Sequence, residues 1–123
     1  MNRLQGKYAL ITGASQGLGR QLALDFASEG AAGIAIAARR IECLNSVRDH
    51  IHEIALKTQV LPIVADLTRQ EDIERVIATT LSEFNGHLDV LVNNASTIGL
   101  SPMPFLLDYP LEDFRNVINT NLI

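Results

Sequence analysis

Short apolar segments alternate along the chain with longer segments in which apolar residues recur at every third or fourth position. The short segments predict four strands, over residues 8–12, 34–38, 60–65 and 88–93. The first two lack polar alternation, which predicts strands buried on both faces. The longer segments predict four helices. The first follows Gly17, carries Leu18, Leu22, Ala23 and Phe26 on its apolar side and has Gly30 as its C-terminal stop. The second covers about 41–57, the third begins near Thr68 and is followed by Gly86, and the last begins at about Leu111.

Strand and helix follow one another four times, which predicts an α/β protein with a Rossmann-type, doubly wound parallel sheet and helices on both faces. Because crossovers are right-handed, the first three strands wind in one direction, and a fourth strand beside the first gives the order 3-2-1-4. Pro62 favours an edge position or an irregularity in the third strand. Thr68 with Glu71 three residues later predicts a capping box at the third helix.

Composition excludes several classes of function. The 123 residues, 47% of them apolar, suit one domain with a sizeable core. A net charge of −4 without a basic run argues against nucleic-acid and membrane partners. Cys43 is the single cysteine, and His50 and His52 point to different faces of a helix, so we predict no disulfide and no metal site. The amino-terminal residues lack the apolar core of a signal peptide, and we expect a cytoplasmic chain.

The first strand runs directly into a glycine-rich turn, Gly13-Ala-Ser-Gln-Gly17-Leu-Gly19, which opens a helix. The first N–H groups of a helix lack intrahelical partners, and glycine lets the backbone approach an anion, so this arrangement predicts a phosphate site. The spacing differs from Gly-x-Gly-x-x-Gly, and no Gly-Lys-Ser/Thr is present. The alternative is a tight strand-to-helix turn that binds nothing.

The residues after the second strand bear on the choice of ligand. In parallel sheets, ligands lie beyond the carboxyl ends of strands where the strand order reverses, here between strands one and four. An acid after the second strand binds a ribose 2′-hydroxyl, whereas arginine accommodates a 2′-phosphate. The chain has Arg39-Arg40 there, which favours NADP(H) over NAD(H) with Arg39 as the phosphate partner. Alternatively, both arginines are a solvated start of the next helix.

Four motifs together resemble the short-chain dehydrogenase/reductase family. They are Thr12-Gly13-Ala14-Ser15-Gln16-Gly17-Leu18-Gly19, Asp66-Leu67, Asn93-Asn94-Ala95 and Asn119-Thr120-Asn121-Leu122. Their order and spacing fit the amino-terminal half of the family, and within it the chain looks most similar to reductases of the 3-oxoacyl-carrier-protein type. The chain has Ser96 where the family commonly has glycine.

The resemblance implies a role for each matching residue. The turn would hold the pyrophosphate and flank the ribose through Gly13, Ser15, Gln16, Gly17, Leu18 and Gly19. Asp66 would accept a hydrogen bond from the adenine amino group, and Leu67 would supply a backbone contact. Asn93 and Ala95 would line the cofactor ribose, and Asn94 would tie the central strands near Thr12. Asn121 would be the catalytic residue within this chain, holding a water of the proton relay. Without the resemblance, Asp66 is an ordinary helix-start acid and the asparagines form a turn.

The family's catalytic Tyr-x-x-x-Lys pair and its upstream serine do not occur in this sequence. Tyr8 and Tyr109 have no lysine four residues later. We therefore expect residues 1–123 to be a partial NAD(P)-binding domain that ends before that segment, with negligible turnover alone and a small carbonyl or alcohol substrate once it is completed.

Two alternatives stay open at this point. One is a non-catalytic dinucleotide-binding or interaction module of the same descent, which could self-associate through the exposed edge of the fourth strand. The other is a methyltransferase-like Rossmann domain, although such sites usually have an acid after the second strand.

Overall fold

The computed structural model describes residues 3–13 and 17–93. In chain order the elements are β1 (Tyr8–Thr12), α1 (Gly17–Ser28), β2 (Gly33–Ala38), α2 (Ile41–Ile54), β3 (Gln59–Val64), α3 (Gln70–Glu83) and β4 (Val90–Asn93). The strands are parallel, in the order β3-β2-β1-β4, as the alternation of strand and helix predicted. β3 is at one edge of this sheet, where Pro62 favoured it. The helix predicted from about Leu111 lies outside the described residues.

The sheet is covered by helices on both faces, which confirms the predicted layering. Successive residues of a strand point to opposite faces, so Ile34 and Ile36 pack toward α1 and α2, whereas Ala35 and Ala37 pack toward α3. All six residues of β2 are buried. The missing polar alternation of this strand therefore has its explanation in burial on both sides.

α1 packs on the sheet through small residues. Its buried positions are Gly19, Ala23 and Ala27, and the prediction that Leu18 belongs to the same side is wrong because Leu18 is 61% exposed. Small side chains let the helix backbone approach the strands closely, and the larger Leu22 and Phe26 pack half-buried beside this face. α1 ends at Ser28, and Gly30, the predicted C-terminal stop, follows two residues later.

The end of α1 has the hydrogen bonds of a Schellman motif. Gly30 has φ +91°, a conformation suited to glycine, and its N–H donates to the Ala27 carbonyl over 3.0 Å. The N–H of Ala31 donates to the Phe26 carbonyl over 3.1 Å. The chain then turns directly into β2.

α2 ends at Ile54, earlier than the predicted limit near residue 57. The reason is the pairing that follows: the Thr58 hydroxyl donates to the Ala31 carbonyl over 2.8 Å, and the N–H of Gln59 donates to the Ala32 carbonyl over 2.9 Å. These bonds bring the chain back to the sheet, and Leu56 in the intervening turn is 83% exposed.

The predicted capping box of Thr68 and Glu71 is wrong. α3 begins at Gln70 with Arg69 as its N-cap, and the Arg69 side chain makes no capping bond. The Thr68 hydroxyl donates instead to Asp66 Oδ1 over 2.6 Å, and Glu71 pairs with Arg69 over 3.0 Å. Both side chains that the box requires are thus engaged by nearer partners.

Candidate functional site

The carboxyl ends of the four strands lie on one edge of the sheet. Thr12 is in register with both Ala37 and Asn93, and Ala38 with Val64. The parallel hydrogen bonding continues one residue further, because Gly13 N–H donates to the Ala37 carbonyl and Ala65 N–H to the Ala38 carbonyl, each over 2.9 Å. The residues that follow the strands share this edge, with neighbouring strands about 4.8 Å apart.

The amino terminus of α1 begins at this edge. Gly13 (φ +68°) follows β1, and Gly17 (φ +62°) begins the helix. A Cβ on Gly17 would meet nothing within 4 Å, so the backbone conformation, and not packing, requires glycine there. The first turn of α1 contains no acidic side chain, so no carboxylate within it offsets the positive end of the helix dipole. Ser15 and Gln16 lie outside the described residues.

Arg39 directly follows β2 and is exposed. Within residues 3–13 and 17–93 its guanidinium makes no hydrogen bond or ion pair, and its charge acts on the Asp66 carboxylate at the neighbouring strand end. Arg40 is also exposed and is the N-cap residue of α2, without a side-chain capping bond. The exposed guanidinium of Arg39 can therefore bind an anion without first breaking an ion pair to a described residue.

Asp66 follows β3 at the same edge and is half-buried. Its Oδ1 accepts hydrogen bonds from the Thr68 hydroxyl (2.6 Å) and the Thr68 N–H (3.0 Å). These two bonds hold the pKa of the Asp66 carboxyl below its usual range. Desolvation opposes them with a smaller effect, and the charges of Arg39 and Arg69 add weaker contributions that lower the pKa. Oδ2 accepts no hydrogen bond from a described residue. An ionised acceptor at this strand end suits a ligand N–H donor.

Thr12 joins the ends of the two central strands. Its hydroxyl is the donor to two acceptors, the Val92 carbonyl oxygen and Asn93 Oδ1, each 3.3 Å away. The sequence indicated such a tie through Asn94, which lies outside the described residues. The prediction placed this tie near Thr12 but did not assign a part in it to the Thr12 hydroxyl, although the position of Thr12 directly before Gly13 was an available signal.

The predicted site residues divide into two groups. One edge of the sheet holds the carboxyl-end and α1 amino-terminal residues Gly13, Gly17, Leu18, Gly19, Arg39, Asp66, Leu67 and Asn93. Ser15, Gln16, Ala95 and the catalytic candidate Asn121 lie outside the described residues. Tyr8 is at the opposite end of β1, where its ring contacts those of Phe84 (centroids 4.9 Å apart) and His87 (5.6 Å). His87 is exposed and stacks on Tyr8.

Two absences concern the described part of the chain. Within it, His, Cys, Asp and Glu side chains nowhere form a group of three that could hold a metal ion. No helix there combines the length and apolar character needed to cross a bilayer.

Known proteins are similar to this chain in both sequence and fold. The family model described as short chain dehydrogenase matches residues 7–123. The 7alpha-hydroxysteroid dehydrogenase of Escherichia coli K12 is 34% identical over 120 residues, and the 11-beta-hydroxysteroid dehydrogenase of Pinus massoniana is 42% identical over 92 residues. The crystal structure of L-sorbose reductase from Gluconobacter frateurii, complexed with NADPH and L-sorbose, superposes with a TM-score of 0.71 at 37% identity.

The chain is much shorter than these proteins. The match spans 98% of the chain but 44% of the Escherichia coli enzyme, and 75% of the chain but 25% of the Pinus massoniana enzyme. For L-sorbose reductase the shares are 79% of this chain and 36% of the reductase.

Proposed function

The chain belongs to the short chain dehydrogenase family, and from this premise we propose that it forms the NADP(H)-binding part of an oxidoreductase that transfers hydride between nicotinamide and a carbonyl or alcohol carbon. The observation that carries the proposal is the common edge on which the α1 amino terminus, Arg39 and Asp66 lie. Each strand end there offers the chemistry that one part of a dinucleotide requires.

The residues of this edge fit the cofactor piece by piece. The α1 amino terminus and its glycines would receive the pyrophosphate, with Ser15, Gln16 and Leu18 beside it. Asp66 would accept from the adenine amino group, with Leu67 alongside, and Asn93 and Ala95 would line the ribose. When bound, the nicotinamide supplies the hydride acceptor or donor. The chain's own residues bind and orient it.

Arg39 supports NADP(H) over NAD(H). It is exposed at the end of β2, and the segment after this strand has no acid to bind a 2′-hydroxyl. A 2′-phosphate would form charge-assisted hydrogen bonds with the planar guanidinium. The L-sorbose reductase structure, which contains NADPH, agrees with this preference.

Catalysis needs groups that this sequence does not contain. No tyrosine has a lysine four residues later, so we propose that the Tyr-x-x-x-Lys pair and the serine come from a segment outside these 123 residues, with Asn121 holding a water of the proton relay. The chain alone then binds cofactor without turnover. The cytoplasmic location of the chain and its particular similarity to 3-oxoacyl-carrier-protein reductases stay predictions.

A second candidate is a dinucleotide-binding module of the same descent, without catalysis of its own. The two candidates differ in what completes them. Hydride transfer from NADPH to a carbonyl compound after addition of the carboxyl-terminal half of a family reductase would support the enzyme. A defined complex without turnover would support the module. The family match favours either one over a methyltransferase-like domain.

Calorimetric titration of the 123-residue chain with NADPH and NADH tests the proposed preference. Removing a charge-assisted phosphate contact costs about 1.5–3 kcal/mol, so Arg39→Asp should weaken NADPH binding by roughly ten- to a hundredfold. The variant should not weaken NADH binding, because an acid after this strand can bind the ribose 2′-hydroxyl. Arg40→Asp makes the same change of charge one residue later and is the matched control. Equal weakening by both variants, or no preference for NADPH in the unchanged chain, would contradict the assignment of Arg39.

A further inference from the structure

Two side chains of α3 hold the turn that carries Asp66. Asp72 Oδ2 accepts a 2.7 Å hydrogen bond from the Asp66 N–H, and Arg75 Nη2 donates over 2.8 Å to the carbonyl of Val64, the last residue of β3. The same Arg75 nitrogen lies 3.8 Å from Asp72 Oδ2. Asp72 and Arg75, together the α3 clamp, thus bind the backbone on both sides of Ala65.

The hydrogen bonds of the α3 clamp go to the backbone of this turn, whereas the Asp66 carboxylate accepts its hydrogen bonds from Thr68. It acts on the backbone from which that side chain projects. The Asp72 side chain is 21% exposed, and its bond to the N–H is charge-assisted, which makes it shorter and stronger than a neutral one. A shift of this backbone would change the distance and angle at which the carboxylate meets a base edge, and hydrogen bonds weaken steeply as their angle departs from linear.

We propose that Asp72 and Arg75 are positioning residues that set the direction of Asp66, and that through it they set both the affinity for the adenine end of the cofactor and the preference for a 6-amino purine. The inference rests on the proposed function, in which Asp66 accepts from the adenine amino group. It adds two residues of α3 that touch no part of the cofactor.

The preference for the amino group separates positioning from general stability. Hypoxanthine has an oxygen where adenine has its amino group, so it offers Asp66 no donor at that position. Calorimetric titrations of the 123-residue chain would compare NADPH with its analogue, reduced nicotinamide hypoxanthine dinucleotide phosphate. Loss of one charge-assisted bond corresponds to about a tenfold change, so Asp72→Ala should weaken NADPH binding about tenfold and the analogue much less. The ratio of the two affinities falls.

Further variants sharpen the test. Asp72→Asn keeps an acceptor oxygen and should restore most of the ratio, and Asp66→Ala combined with Asp72→Ala should bind no more weakly than Asp66→Ala alone. Arg75→Met keeps the length of the side chain, loses the bond to Val64 and should lower the ratio if Asp72→Ala does not fold. Glu74→Ala is the matched control, because Glu74 contacts Gln70 on the same helix (3.4 Å) and not the turn.

Two results would overturn the proposal. Equal weakening of both ligands by Asp72→Ala, additive with Asp66→Ala, would mean that the α3 clamp acts on stability alone. Binding of NADPH and the analogue with the same affinity by the unchanged chain would show that Asp66 does not read the amino group. If the unchanged chain binds neither dinucleotide, the proposed function fails together with the positioning role. In the first two results NADPH still binds, so the two kinds of failure are distinguishable.

Discussion

Gly33 at the start of β2 lies directly against the ring of Tyr8 at the start of β1. A Cβ on Gly33 would stand 2.7 Å from Tyr8 Cδ2, and 2.9 and 3.0 Å from Cε1 and Cζ of Phe84. The two residues are register partners in the sheet, so the contact belongs to the pairing of the central strands. The absence of a side chain on Gly33 lets the aromatic rings close this end of the sheet.

Gly33→Ala should destabilise the chain. Alanine normally stabilises a strand position relative to glycine by roughly 0.5–1 kcal/mol, whereas overpacking costs about 1–3 kcal/mol. Because the buried rings of Phe84 and the half-buried Tyr8 have little room to move, we expect a net loss of about 1–2 kcal/mol in the free energy of unfolding in urea. A variant more stable than the unchanged chain would contradict the close contact.

Gly17→Ala should be costly for a different reason. Its Cβ would meet no neighbour, but φ is +62°, where a residue with a side chain is strained by about 1–2 kcal/mol. We expect lower stability and weaker NADPH binding, since relief of the strain would displace the first N–H groups of α1. Asparagine tolerates this conformation better than alanine, so Gly17→Asn should lose less stability in thermal unfolding and less NADPH affinity in calorimetry. Equal losses would mean that bulk, and not backbone conformation, matters at this position.

Thr68→Val should raise the pKa of Asp66 toward its usual value, because the Thr68 hydroxyl makes the largest contribution to lowering it. A lowered pKa in the folded state stabilises the chain at pH values above the unfolded pKa of about 3.9, and this contribution is lost as pH falls through the folded pKa. The variant should therefore lose less stability on acidification. Carboxyl-carbon NMR titration measures the shift. Arg69→Gln removes a charge that contributes less to lowering the pKa, so this variant should change the pKa of Asp66 less.

Two buried threonines should respond differently to valine. The Thr58 hydroxyl bonds the Ala31 carbonyl across the fold (2.8 Å), whereas the Thr80 hydroxyl bonds Val76 within its own helix (2.7 Å). Thr58→Val removes a tertiary hydrogen bond and should cost about 1–2 kcal/mol in unfolding free energy. Thr80→Val leaves the Val76 carbonyl its helical N–H partner and should be nearly neutral. Equal costs in urea denaturation would contradict this distinction.

Much of the fold could be predicted because it depends on local patterns. The unbroken apolar run before Ala38 indicated burial on both faces, and the place of Pro62 indicated an edge strand, since proline lacks the N–H that an inner strand donates. The glycine stop at Gly30 follows from backbone conformation alone. These features need no knowledge of distant neighbours.

The errors arose where two local signals competed. Thr68 and Glu71 have the spacing of a capping box, but the Thr68 hydroxyl bonds Asp66 and Glu71 pairs with Arg69. Leu18 fits the apolar period of α1, yet the close approach of the helix to the sheet admits only small side chains, and Leu18 lies outside that contact. Spacing alone does not rank such partners.

The sequence by itself determined the order of the strands, the two-sided burial of the sheet and the edge at which the candidate site residues meet, because periodicity and the handedness of crossovers are properties of the chain. Tertiary structure decided that Asp72 and Arg75 hold the turn beside Asp66 and that Gly33 must leave room for two aromatic rings. Those contacts depend on distances between atoms of different elements, which become defined only when the helices and strands are packed together.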